Sequence, residues 1–127
     1  MAKTVLVVDD DPDFLELLEV VLTLEGYQIL PCPDPGQAQQ KARQEHPDVI
    51  MVDLVMRGLS GWQVIEQFKA DPQTARIPVI VCTAAVSDAL RQVARLRQWC
   101  CDVLLKPFEL RDLLCVLAKA TARDQAC

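Results

Sequence analysis

The chain has 127 residues, 51% of them hydrophobic and 24% charged, a balance that suits one domain with its own buried core. Thirteen Lys and Arg against 18 Asp and Glu leave a net charge of −5, which argues against direct binding of nucleic acid or an anionic membrane. No apolar run reaches the roughly 18 residues of a membrane span, and the N-terminal stretch is too short for a signal peptide. The expectation is a soluble, cytoplasmic domain over residues 1–127 with its core at about 3–121. Six cysteines (Cys32, Cys82, Cys100, Cys101, Cys115 and Cys127) show no paired metal-type spacing and meet a single histidine, His46. Reduced thiols are therefore expected, not a disulfide framework or a zinc site.

Short apolar runs alternate with helical patterns along the whole chain. Val5–Val8 is the first predicted strand, followed by a helix over Asp13–Glu25 with Phe14, Leu17, Leu18, Val21 and Leu22 at helical spacing. Asp11 before Pro12 marks the cap of that helix, and Gly26 marks its end. Ile29–Leu30 reads as a second strand. Pro35-Gly36 then precedes a polar helix over Gln37–Glu45, whose Ala38 and Ala42 share a face. Val49–Val52, Val79–Cys82 and Val103–Leu105 complete the strands, with helices over Trp62–Lys69, Asp88–Gln98 and Leu110–Ala122. Strands that are apolar on both faces belong to a parallel sheet covered on each side. The predicted fold is α/β: a flavodoxin-like, doubly wound, five-stranded parallel sheet of order 2-1-3-4-5 with five helices.

Ligands of such sheets bind at the carboxyl ends of the strands, around the switch point. There the sequence puts Asp9, Asp10 and Asp11 after strand 1, Asp53 after strand 3, Thr83 after strand 4 and Lys106-Pro107 after strand 5. Carboxylates gathered at one edge resist ionising together unless a cation neutralises them, and Mg2+ with its oxygen ligands does this where phosphate completes the shell. Lys106 adds a flexible positive charge and Thr83 a hydroxyl donor. Carboxylate, metal, lysine and hydroxyl together make a site for phosphoryl transfer. Asp11 reads as a helix cap, His46 as a surface loop residue and Trp62 as a packing residue.

Four segments carry a family resemblance: Val5-Leu6-Val7-Val8-Asp9-Asp10, Pro47-Asp48-Val49-Ile50-Met51-Val52-Asp53, Pro78-Val79-Ile80-Val81-Cys82-Thr83-Ala84 and Leu105-Lys106-Pro107-Phe108. In this order and spacing they resemble a response-regulator receiver domain of bacterial two-component signalling. The resemblance implies that Asp53 is the phospho-acceptor, taking its phosphoryl group from a sensor histidine kinase or phosphotransfer protein. Asp9, Asp10, Asp53 and the backbone carbonyl of Val55 would bind Mg2+, while Lys106 and Thr83 would contact the phosphoryl oxygens. Ala84 fits a position kept small, and the bond before Pro107 is expected to be cis. Such a domain is no enzyme beyond its own phosphorylation and slow dephosphorylation. It changes conformation and signals to a downstream protein or a second copy through the face of the fourth helix, fifth strand and fifth helix. Arg91, Arg95, Arg97 and Asp112 lie on those elements.

Three positions depart from the family pattern. Arg57 replaces a usual proline, so the loop after the acceptor is expected to be less rigid. Trp99-Cys100 replaces a helix-ending Gly-Ala, so the fourth helix should run on or end differently. Val103 replaces an aromatic switch residue and should contribute little to the conformational change. Val55 and Ala85 flank the path of a hydrolytic water without being able to orient it, which predicts a long-lived phosphoryl group. Two other readings compete. A haloacid dehalogenase-like phosphatase would use Asp9 as nucleophile, leaving Asp53 without a role, and a pseudo-receiver would act as an unphosphorylated interaction module.

Overall fold

The computed structural model describes residues 2–84, 86–99 and 101–122. Five strands, β1 (Thr4–Val8), β2 (Gln28–Cys32), β3 (Val49–Val52), β4 (Val79–Thr83) and β5 (Asp102–Leu105), pair in parallel in the order β2-β1-β3-β4-β5. The expected order and parallel sense are both present. The strand β2 is longer than its two-residue apolar signal because backbone pairing from Thr4↔Gln28 to Val8↔Cys32 carries it on. Pro31 is tolerated there since β2 is an edge strand.

Alternation along the strands sorts the core into two layers. Leu6, Val8, Ile50 and Val52 point to one face, where Ala38 and Ala42 of α2 (Ala38–Glu45) and Val64, Ile65 and Phe68 of α3 (Gly61–Ala70) cover them. Val5, Val7, Val49 and Met51 point to the other, beneath Leu15, Leu18 and Leu22 of α1 (Pro12–Leu24) and Leu113 and Leu117 of α6 (Leu110–Ala122). No helix among the described residues is long and apolar enough to cross a membrane.

The expected fourth helix is two helices, α4 (Val86–Arg91) and α5 (Val93–Gln98), so the described residues hold six α-helices and a short 3-10 turn at Pro35–Gln37 where five helices were expected. The break falls at Gln92, whose backbone leaves the helical region at φ −111°, ψ 22°. Its N–H reaches Ala89 O at 3.3 Å, a three-residue bond, before Leu96 N–H resumes the four-residue pattern on Gln92 O at 3.0 Å. Side-chain periodicity runs through this pinch unaltered, so the pattern alone does not reveal it.

Helix ends follow their local chemistry. Asp11 Oδ1 accepts from Asp13 N–H at 3.1 Å and Phe14 N–H at 3.4 Å, with Pro12 opening α1 as expected. Gly26, at φ +92°, lets the Gly26 and Tyr27 N–H groups turn back onto the carbonyls of Thr23 and Leu22. The exposed His46 ends α2 in the left-handed region at φ 48°. Trp99 ends α5 differently from a glycine: it stays right-handed at φ −87° with its N–H on Arg95 O at 2.9 Å. Its neighbour Cys100, with Ala85 and Cys127, lies outside the described residues.

Gly61 matters for the site because it opens α3 against the backbone that follows β3. A Cβ at that position would overlap the Asp53 carbonyl oxygen and come within 2.6 Å of Leu54 Cα. Backbone cannot yield as a flexible side chain can. Gly61→Ala is therefore expected to destabilise the fold by about 2 kcal/mol or more, against the small gain a helical Gly→Ala change usually brings. Urea unfolding of the two proteins measures the difference.

Candidate functional site

Parallel pairing sets the predicted residues side by side at the carboxyl edge. Asp53 N–H donates to Val8 O at 3.1 Å, so the ends of β1 and β3 are level, and Lys106 N–H donates to Thr83 O at 2.8 Å, which levels β4 and β5. Lys106 Nζ then bridges Asp9 Oδ2 at 2.9 Å and Asp53 Oδ2 at 3.3 Å. Asp9 Oδ1 accepts from Asp11 N–H at 3.0 Å, and Asp53 Oδ1 accepts from Val55 N–H at 3.2 Å. Thr83 is fully buried at the end of β4, followed by the small, exposed Ala84. The Lys106–Pro107 bond is cis, as the resemblance implied.

Depth separates the two bridged carboxylates. The Asp9 side chain is 3% exposed and the Asp53 side chain 13%. Burial pushes the Asp9 carboxyl above its usual range, although Lys106 and the Asp11 N–H pull the other way. Burial also works against the charge on Lys106, but its bond to Asp9 and the negative field of Asp9 and Asp53 prevail and hold it above the ordinary lysine value. Cys82 sits beside this cluster with its thiol pushed up to about 12 by burial, so it stays protonated at neutral pH. Cys32, Cys82, Cys101 and Cys115 are free thiols.

Two contacts were not legible beforehand. Lys106 Nζ lies 4.1 Å from the centroid of the Phe14 ring, which in turn meets Phe108 edge-on at 6.3 Å. Helical periodicity marks Phe14 as a packing residue, and only the tertiary fold reveals that its face steadies the lysine. The second contact is on Asp10, whose Oδ2 accepts from Arg57 N–H at 2.9 Å with the Arg57 Nε at 3.5 Å. The Arg57 N–H, helped by the guanidinium, holds the Asp10 carboxyl below its usual range. Arg57 was expected to loosen its loop; instead it ties the loop to the site through the very N–H that a proline lacks.

Arg95 also differs from its expected role on an outward surface. Its guanidinium lies 4.6 Å from the Trp99 ring and 5.5 Å from the Trp62 ring, with Nη2 2.7 Å from Glu66 Oε2. It clasps α5 to α3. Val103 sits on the edge strand β5 with 38% of its surface exposed.

Oxygen donors dominate the site, which is the donor chemistry of a hard divalent cation. No three Asp, Glu, His or Cys side chains converge into a complete cage among the described residues. Mg2+ does not require one, since it keeps several waters and takes one or two carboxylates together with phosphate. The Asp9, Asp10 and Asp53 carboxylates at this edge offer oxygen donors of that kind.

A lysine-bridged carboxylate set thus stands at the switch point of a 2-1-3-4-5 parallel sheet. The chain belongs to the response regulator receiver domain family, whose model matches residues 5–118. It is 38% identical over 110 residues to Protein PilH of Pseudomonas aeruginosa, covering 87% of this chain and 90% of PilH. The DNA-binding response regulator MtrA of Mycolicibacterium smegmatis is 31% identical over 125 residues, covering 98% of this chain and 53% of MtrA, so the chain spans about half of that relative. In shape it matches the receiver domain of the Pseudomonas aeruginosa sensor histidine kinase PA1611, which has a magnesium ion coordinated in its active-site cleft. The TM-score is 0.84 at 26% identity, covering 97% of this chain and 100% of that one.

This chain is thus a receiver domain of a two-component system. Neither competing reading is supported. As a phosphatase nucleophile Asp9 is badly placed, being the more buried of the two bridged carboxylates.

The upward displacement at Asp9 makes a signed prediction. A carboxyl whose folded value is raised costs stability once it ionises, so stability falls as pH climbs from about 4 through the raised value. Asp9→Asn removes that cost while Lys106 keeps Asp53 as a partner. The variant should melt higher than wild type at pH 7, and the gain should vanish below about pH 4. Thermal unfolding across that pH range measures it.

Proposed function

We propose that Asp53 is the residue that receives the phosphoryl group. One observation carries this reading: Asp53 alone of the clustered carboxylates ends the central strand, lies under Lys106 and keeps a partly open side chain. The donor is the phosphohistidine of a sensor histidine kinase or phosphotransfer protein. An Asp53 carboxylate oxygen attacks phosphorus as the phosphorus–nitrogen bond breaks. The bonding pair stays on the imidazole, which takes up a proton, and an acyl phosphate remains on Asp53.

Asp9, Asp10, Asp53 and the Val55 carbonyl are the groups that would hold Mg2+. The ion supplies neutralisation of the phosphoryl oxygens. Lys106, already between Asp9 and Asp53, follows the charge as it passes onto the phosphoryl group. Thr83 offers its hydroxyl from the next strand end. The signal leaves through the face of α4, α5, β5 and α6 to a downstream protein or a second copy. The exposed apolar side chains Val103 and Leu105 support that reading by supplying contact area on the edge strand.

Incubation with acetyl phosphate and Mg2+ should add one phosphoryl mass to the intact protein, lost on alkali treatment. Asp53→Asn should add none, and EDTA should abolish labelling of the wild type. Equal labelling of Asp53→Asn would remove the assignment. The lifetime of the product follows from Val55, a residue 60% exposed beside the acceptor whose side chain has no hydrogen-bonding group. Val55→Asn can orient water and should speed loss of phosphate severalfold in a discontinuous decay assay.

A further inference from the structure

The reading of Asp10 as a metal ligand has a consequence for Arg57. We propose that Arg57 is a latch on Asp10 that competes with the divalent cation and sets how tightly the site takes it. Two groups of one residue converge on one oxygen: the Arg57 N–H at 2.9 Å and the Nε at 3.5 Å from Asp10 Oδ2. The N–H bond is short and ends on a charged acceptor, which makes it the stronger part. The guanidinium is longer-ranged and weaker, because the Arg57 side chain is 91% exposed and the Asp10 side chain 24% exposed.

A cation on Asp10 meets both parts of the latch. It draws on the negative charge of the same carboxylate that the N–H and guanidinium share, and it brings positive charge next to both. The metal and the Arg57 contacts therefore weaken each other. Coupling of this kind is reciprocal, so metal binding loosens the hold of Arg57 on Asp10 by the same factor. The β3–α3 loop, residues 53–60, is anchored to the end of β1 through this contact. Its far end is fixed independently by Gly61 N–H on Leu54 O at 3.0 Å and by the Ser60–Gln63 capping box. Metal binding then releases the middle of the loop, around Arg57 and the positive-φ Gly58, and leaves its two ends in place.

Titration calorimetry with MgCl2 on the full chain separates the two parts of the latch. Arg57→Ala keeps the N–H and loses the guanidinium, and should bind Mg2+ about threefold more tightly. Arg57→Pro loses both and should bind about tenfold more tightly. Arg57→Lys keeps an N–H and a charge and should stay near wild type. In 1H–15N spectra of the wild type, the Arg57 amide resonance should move during the Mg2+ titration in step with that of Asp10. If Arg57→Pro does not fold, the Arg57→Ala affinity and the Arg57 amide decide the matter. Equal affinities in wild type and variants, with an unmoved Arg57 amide, overturn the latch while leaving the site intact. Absence of Mg2+ binding in every protein overturns the metal-ligand reading and the latch with it.

Discussion

Two carboxylates, Asp9 and Asp53, stand at the ends of adjacent parallel strands with one ammonium, Lys106 Nζ, 2.9 and 3.3 Å from them. Without that charge the edge would carry two anions facing each other across the sheet, one of them almost wholly buried. Leaving a buried charge unpaired is far more costly than forming the pair is favourable. The ammonium therefore sets the terms for everything around it. Phe14 covers it with a ring face, Thr83 holds its backbone, and Asp53 keeps one oxygen for the Val55 N–H.

The sheet makes this possible by turning sequence distance into spatial adjacency. Lys106 and Asp9 are 97 residues apart in the chain and share a hydrogen bond. Parallel registers put Val8 beside Val52, Val52 beside Val81 and Thr83 beside Leu105, so Asp9 and Asp53 land level, with Thr83 one residue and Lys106 two residues further along the same edge. The two hydrophobic layers fix that height from both sides, and α3 packs so close to the end of β3 that Gly61 has no room for a side chain. Rigidity of the layers is thus part of the chemistry of the edge.

Much of this was legible in the residues. Apolar runs ending in Asp9, Asp53, Thr83 and Lys106 announce both the parallel sheet and the edge that carries its site, because both depend on residue type and spacing. The cap at Asp11 and the turn at Gly26 are equally local. What escaped depends on backbone paths and on pairs distant in sequence. The Arg57 contact with Asp10 needs the route of a loop, and the strongest bond in it is made by a main-chain N–H that no side-chain pattern records. The break at Gln92 lies inside an uninterrupted helical pattern. Arg95 read as surface charge because charge and periodicity point outward, whereas Trp62 and Glu66 on α3 draw it inward.

That inward turn of Arg95 has a practical side. The chain contains two tryptophans, and both flank the same guanidinium. Cation–π contacts of this kind are worth about 0.5–2 kcal/mol, enough to favour the stacked arrangement and little enough to yield. All the indole emission of the protein thus originates at the seam between α3 and α5. Whatever separates those helices withdraws a positive charge from both rings at once, so the protein carries a built-in optical gauge at that seam, with no other tryptophan to obscure it.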